Sequence, residues 1–249
     1  MRRIFRSDLS ASTTRKLKDE QERADQRYEA STLNVEVEWT RARHNKPLQE
    51  AFTVLQDMAG PRERCMYCGD SHGTDIEHFW PKAPYPKRMF QWPNLLLCCT
   101  ACGRIKGAQF PLINELPALI DPSTENPWDF LDFEPQTGNI VARYDPERQQ
   151  ELLKGRKTVQ VLQFDRREVM ANGYKCTFRR IKRRIEEALE QASPDATTLL
   201  HDLNEADDHG LLGWCFDGLG SLISPFAELQ ARHPAVWAAC RQSYQNKFA

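Results

Sequence analysis

The chain has 249 residues, 40% hydrophobic and 28% charged, with a formal net charge of −1. That is the composition of a globular protein long enough to bury a real core, as one large domain or two small ones. No run approaches the ~18 apolar residues of a membrane span, and the charged start Met1-Arg2-Arg3 leads into no apolar signal segment, so the expected compartment is the reducing cytoplasm.

In chain order, the first sixty residues read as helical. Ser12 or Thr13 is a candidate cap for a polar helix running to about residue 30. A second helix is predicted after Asn45, with Pro47 in its first turn and an apolar face of Leu48, Ala51, Phe52, Leu55 and Met58; Gly60 and Pro61 end it. From about 62 to 111 the chain is dense in Pro, Gly and Cys, as suits a short-stranded, metal-held module. Segments 130–134 and 139–143 flank Pro135-Gln136-Thr137-Gly138 as a hairpin. Asp165 and Glu168 resemble a capping box opening a long helix to about 192, with Val169, Phe178, Ile181, Ile185 and Leu189 as its apolar stripe. Shorter helices are expected near 196–204, 221–232 and 235–244. The predicted fold is therefore α+β and predominantly helical. Its expected organisation is an N-terminal helical segment (1–60), a central metal-held module (61–115), and a hairpin plus C-terminal helical region (116–249).

Charge is unevenly spread. Residues 154–184 hold eleven Lys or Arg against Asp165 and Glu168, whereas 186–208 hold eight acids and neither Lys nor Arg. Such a pairing fits a phosphate-binding surface beside a solvated or partner-facing one, and equally a long helix with a charged outer face.

Two cysteine pairs carry the chemistry. Cys65-Met66-Tyr67-Cys68 and Cys99-Thr100-Ala101-Cys102 each have the two-residue gap that puts two sulfurs on one metal, and four thiolates are what tetrahedral Zn²⁺ takes in a closed structural site. In a reducing compartment this spacing favours metal over disulfide. Cys98 adjoins the motif, but only Cys99 has the correct gap to Cys102; Cys176, Cys215 and Cys240 read as ordinary small residues.

Between the pairs lie Asp75-Ile76-Glu77-His78-Phe79-Trp80-Pro81-Lys82 and Trp92-Pro93-Asn94-Leu95-Leu96-Leu97, with Lys106-Gly107 just after. In order and spacing this block resembles the four-cysteine branch of the HNH endonucleases, which have the ββα-metal fold. More narrowly, it resembles the PtuB-like HNH nucleases of Septu-type and retron-associated antiphage systems. That likeness continues through Leu119-Ile120-Asp121-Pro122, the hairpin and Thr158–Arg166, covering roughly 60–170.

The resemblance implies a metal-dependent nuclease that hydrolyses phosphodiester bonds, with zinc purely structural. His78 would be the general base, suited by an unperturbed pKa of about 6.5. Glu77 would bind a catalytic Mg²⁺ or Mn²⁺, and Asn94 would fix a loop and orient His78. Lys82, Arg104 and Lys106 are the candidate phosphate contacts, Lys106 first among them. Phe79, Trp80 and Trp92 read as core of the module rather than as base-stacking groups. The implied partners are a nucleic-acid substrate, DNA or RNA, and an ABC-type ATPase subunit of the PtuA kind, extending to a retron reverse transcriptase and its RNA/DNA product. The flanking helical segments would then be docking surfaces.

One position departs from the family pattern. Its usual metal-binding His or Asn after the last cysteine is here Gly103. Water could fill that position, Asp75 or His72 could substitute, or a partner or substrate could complete the site. A different class of function stays open beside the nuclease: a non-catalytic zinc module that binds nucleic acid or a protein. A redox or zinc sensor is a third.

Overall fold

A computed structural model describes residues 1–246. Helices α1 (Ala11–Glu29), α2 (Val35–Ala42) and α3 (Lys46–Ala59) precede the cysteine segment. The cap of α1 is Ser10, whose hydroxyl accepts the Thr13 N–H at 3.1 Å, rather than the expected Ser12 or Thr13. Asn45, Pro47 and Gly60 bound α3 as the sequence predicts, and Leu48, Ala51 and Leu55 form its buried face. The separate helix α2 is not anticipated by its alternating Val-Glu-Val-Glu start. Asn34 caps it, and two buried glutamates paired with half-exposed arginines hold it to α1: Glu38 pairs with Arg27 and Arg41, and Arg41 also reaches Glu20 at 2.8 Å.

The central element is an antiparallel pair of β1 (Asp75–His78) with β2 (Leu95–Cys98), followed directly by α4 (Thr100–Lys106). All four residues of β2 are buried, because α3 packs against it. Three small antiparallel pairs follow: β3 (Leu112–Ile113) with β4 (Leu116–Pro117), β5 (Leu131–Phe133) with β6 (Ile140–Ala142), and β7 (Tyr144–Asp145) with β8 (Gln150–Glu151). The β5–β6 pair is the predicted hairpin. Helix α5 (Leu153–Leu162) lies on it so closely that a Cβ at Gly155 would come within 2.0 Å of the Phe130 carbonyl oxygen.

The long helix is α6 (Glu168–Leu189), two differences apart from the expected one. Its cap residue is Arg167, whose guanidinium has no acceptor and so makes no capping hydrogen bond, and Val169 is 83% exposed, leaving Met170, Tyr174, Phe178, Ile181, Ile185 and Leu189 to bury. Its basic residues face outward and several are spent locally: Lys182 pairs with Glu186, and Arg183 and Arg184 with Glu187. Helices α7 (Ala196–Ala206), α8 (Leu212–Phe216), α9 (Phe226–Arg232) and α10 (Pro234–Asn246) complete the described residues. The single helix expected over 221–232 is split at Pro225, which has no N–H to continue a ladder. The protein is thus α+β and mostly helical, and one continuous apolar core takes residues from Met1 to Cys240. No helix among the described residues is long and apolar enough to cross a membrane.

Candidate functional site

The four predicted cysteines converge. Cys65 and Cys68 sit on a tight turn fixed by Cys65 N–H to the Ser71 carbonyl (2.9 Å) and Gly69 N–H to the Cys65 carbonyl (2.8 Å). Cys99 is the cap residue of α4, and Cys102 lies one turn in. All four are buried, and their sulfurs lie within 4.8 Å of one another. Zinc–sulfur bonds of about 2.3 Å require sulfurs about 3.8 Å apart, and Cys68 Sγ and Cys99 Sγ stand at 3.9 Å. The donor set and geometry therefore fit one tetrahedral Zn²⁺. Cys98 Sγ, 3.9 Å from Cys65 Sγ, is an adjacent fifth sulfur outside that group.

The cluster is fastened to the C-terminal half. Arg167 Nη1 donates to Cys102 Sγ at 3.1 Å, and the neighbouring sulfurs hold its guanidinium above its ordinary pKa although burial works the other way. Tyr174, fully buried on α6, donates to the Cys68 carbonyl at 2.8 Å and accepts from the Met1 nitrogen at 2.5 Å.

Beside the cluster, a cleft of about 520 Å³ opens between β1, α4 and α2, lined by Asp75, Glu77, His78, Lys82, Gly103 and Arg104 from the first two regions. Asp75 and Glu77, two apart on a strand, share one face. Burial pushes the Glu77 carboxyl up, opposed by Lys106, which is completely buried and donates to Glu77 Oε1 and to the His78 carbonyl, each at 2.8 Å. Sequence reasoning expects Lys106 at a phosphate. The structure places its ammonium inside, as the counter-charge of Glu77.

His78 ends β1 and is 4% exposed. Its Nε2 lies 2.9 Å from the Met89 carbonyl oxygen, which can only accept, so Nε2 carries the proton and Nδ1 is the basic nitrogen of the neutral ring. Burial lowers its pKa to about 3, outweighing the Met89 bond, so the ring is neutral at physiological pH. The Trp39 ring of α2 meets it edge-on, centroids 4.4 Å apart.

Asn94 is buried and clamps the loop that leaves His78. Its Oδ1 accepts the Trp80 N–H at 2.7 Å, and its Nδ2 donates to the Trp80 and Arg88 carbonyls at 3.1 and 2.9 Å. From the N-terminal segment, Arg6 donates to the carbonyls of Trp92 (2.9 Å), Pro93 (3.2 Å) and Leu95 (3.0 Å), bracketing Asn94, and lies over the Trp92 ring. Phe79 is buried; Trp80 packs with Tyr85 and Phe110 and carries Arg88 over its face.

Two ion pairs cross the cleft mouth from the N-terminal helices: Arg43 to Asp75 at 2.9 Å and Glu36 to Lys82 at 3.1 Å. Arg104 is exposed on its wall. A Cβ at Gly103 would stand 3.5 Å from Glu77 Oε2 and 4.0 Å from Cys98 Sγ, so position 103 points at Glu77. Of the two candidates for the missing ligand, Asp75 lines the cleft, whereas His72 faces Glu63 at 3.7 Å. Trp39, Arg6 and Arg167 are site residues that sequence reasoning misses. Each lies far along the chain from the motif, and nothing local distinguishes it from a helix-face Trp or a surface Arg.

No family model matches the chain. A stretch of 104 residues, 40% of the chain, is 29% identical to the Septu protein PtuB of Bacillus thuringiensis. The chain spans 35% of that relative's length.

Proposed function

We propose that the protein is an HNH endonuclease with the ββα-metal fold, hydrolysing nucleic-acid phosphodiester bonds as the effector of an antiphage defence system, together with an ATPase partner. The observation that carries this reading is the pairing of His78 and Glu77. A neutral imidazole with Nδ1 as its only basic nitrogen adjoins a carboxylate in one cleft, on a strand–strand–helix unit stapled by four cysteines. The strand order, the spacing and the likeness to Septu protein PtuB support the family, and that likeness supports the defence role.

In this reading His78 Nδ1 takes the proton of the attacking water, and the Met89 carbonyl holds the opposite nitrogen so that the ring keeps its tautomer. Glu77, with Asp75 on the same face, would hold a hard divalent ion. Bound Mg²⁺ or Mn²⁺ supplies the electrostatic stabilisation of charge on the phosphoryl oxygens. Lys82 and Arg104 take the phosphates flanking the scissile bond, Lys82 exchanging Glu36 for the polyanion. Trp39 and Asn94 keep the ring and its loop in place. Zinc is structural, in the four-sulfur cluster.

A second reading, a non-catalytic zinc module that binds nucleic acid or a protein, draws on Lys106, which already neutralises Glu77, and on Gly103, which offers no ligand. The deciding experiment is cleavage of DNA and RNA by wild type and His78→Ala, with Mg²⁺, Mn²⁺ or EDTA, alone and with the co-expressed ATPase. Metal-dependent cutting that disappears in His78→Ala supports the nuclease. Absence of cutting from folded, zinc-loaded protein under every condition moves the assignment to the binding module.

A further inference from the structure

Gln21, on α1, is more than fifty residues from the motif in sequence, yet it touches the support of His78. It is 8% exposed. Its Oε1 accepts the Phe90 N–H at 2.7 Å, and its Nε2 donates to the Pro86 carbonyl at 3.0 Å and to Asp25 Oδ1 at 2.8 Å. The partners fix the orientation of the amide, because the Phe90 N–H needs an oxygen and the Pro86 carbonyl needs a donor.

The Phe90 N–H and the Met89 carbonyl belong to one peptide group, planar and conjugated. His78 holds one end of it and Gln21 the other, giving an unbroken series from His78 Nε2–H through the Met89 carbonyl and the Phe90 N–H to Gln21 Oε1. Accepting at the N–H polarises the peptide and makes its carbonyl a stronger acceptor. Met89 and Phe90 are 0% and 1% exposed, so solvent cannot replace Gln21 there.

We propose that Gln21 is a positioning residue for His78: it anchors the Met89–Phe90 peptide so that the Met89 carbonyl takes the Nε2 proton and Nδ1 is left as the base. The consequence for turnover rests on the nuclease reading above; the consequence for the imidazole tautomer does not. Helix α1 thereby belongs to the apparatus of the site, in addition to any docking surface it presents.

The test uses the full-length, zinc-loaded protein labelled with ¹⁵N-histidine. The His78 signals are identified by their loss in His78→Asn, and the tautomer is read from long-range ¹H–¹⁵N spectra at one neutral pH. Wild type is expected to hold a single Nε2–H tautomer. Gln21→Leu, close in volume but without the acceptor, is expected to give a mixture with the Nδ1–H form and to lower kcat about tenfold at unchanged KM. Asp25→Ala, which removes a contact of the other arm of the amide, is expected to match wild type in both readouts. If Gln21→Leu fails to retain zinc or its near-ultraviolet circular dichroism, Gln21→Asn, which withdraws the oxygen by one methylene, replaces it. A single, unchanged tautomer in the folded variant overturns the proposal, as does a kcat loss without tautomer change. A wild type that cuts nothing but whose His78 tautomer depends on Gln21 overturns the nuclease reading alone.

Discussion

Lys106 and Glu77 form a nearly enclosed ion pair, 2.8 Å between Nζ and Oε1, with the lysine side chain fully buried and that of Glu77 19% exposed. The pair joins the end of α4 to β1, and the second bond of the ammonium, to the His78 carbonyl, fixes the strand at the proposed base. A buried cation of this kind is held by its partner, and removing either side leaves the other without compensation.

Lys106→Ala is therefore expected to destabilise the fold by about 3 kcal/mol, seen as a lower denaturant midpoint. The double variant Lys106→Met, Glu77→Gln should recover most of that loss. A single variant as stable as wild type would remove the pair from the account of the site.

Phosphate contact is expected from Arg104 and Lys82. Arg104→Ala should lessen the salt dependence of nucleic-acid binding by about one in the logarithmic slope. Lys106→Met should leave that slope unchanged even where affinity falls. Binding titrations across a salt series separate the two, and a reversed pattern would return Lys106 to the interface.

His78 makes stability pH-dependent in a definite direction. Its folded pKa is about 3, below the 6.5 of an ordinary histidine, so the unfolded chain binds the extra proton throughout that interval. Stability contributed by the neutral ring is full above pH 6.5 and falls as pH drops toward 3, by about 5 kcal/mol in all. His78→Asn should flatten this part of the profile. Chemical denaturation of both proteins between pH 7 and 5 reads the difference before the cysteines begin to lose metal.

Zinc is expected at one ion per chain, and Cys65→Ser or Cys102→Ser should abolish it. Structural zinc supplies about 10–16 kcal/mol in small finger peptides, more than most domains' net stability. The variants should lose cooperative melting of the central segment, rather than merely slow a reaction. A metal-free Cys65→Ser protein with a wild-type Tm would refute a structural role for the ion.

Gly103→His is expected to fold normally, since the added Cβ meets Glu77 Oε2 at an ordinary 3.5 Å. Its ring would extend from a position already facing the carboxylate. Mn²⁺ affinity, followed by electron paramagnetic resonance, should rise by about tenfold. No gain would place the divalent ion away from the Glu77–Gly103 gap.

What the sequence made legible follows local rules. The cysteine spacing, the α3 face bounded by Pro47 and Gly60, and the hairpin around Gly138 are each determined by neighbours within a few residues, and each is found in the structure. Helices α2 and α5 escaped because their stability comes from tertiary partners: a buried Glu38 among arginines, and a glycine pressed on the Phe130 carbonyl. The capping box expected at Asp165 does not form, because the cap position falls on Arg167, whose guanidinium cannot accept a helix N–H and instead donates to Cys102. The motif names Glu77, His78 and Asn94, but its local pattern does not reveal that Lys106 lies inward, or that Trp39 and Arg6 reach the same place from the N-terminal segment.

The tie between Arg167 and Cys102 bears on portability. A fragment cut to 61–115 would keep all four clustered cysteines and all three motif residues, yet it would shed Arg167 and Tyr174 on one side and Arg6, Gln21 and Trp39 on the other. It would keep the letters of the motif without their posture. Grafting this block into another chain therefore means carrying over struts from both flanks, and the unit that can be exchanged is the whole core rather than the stretch that a pattern search would highlight.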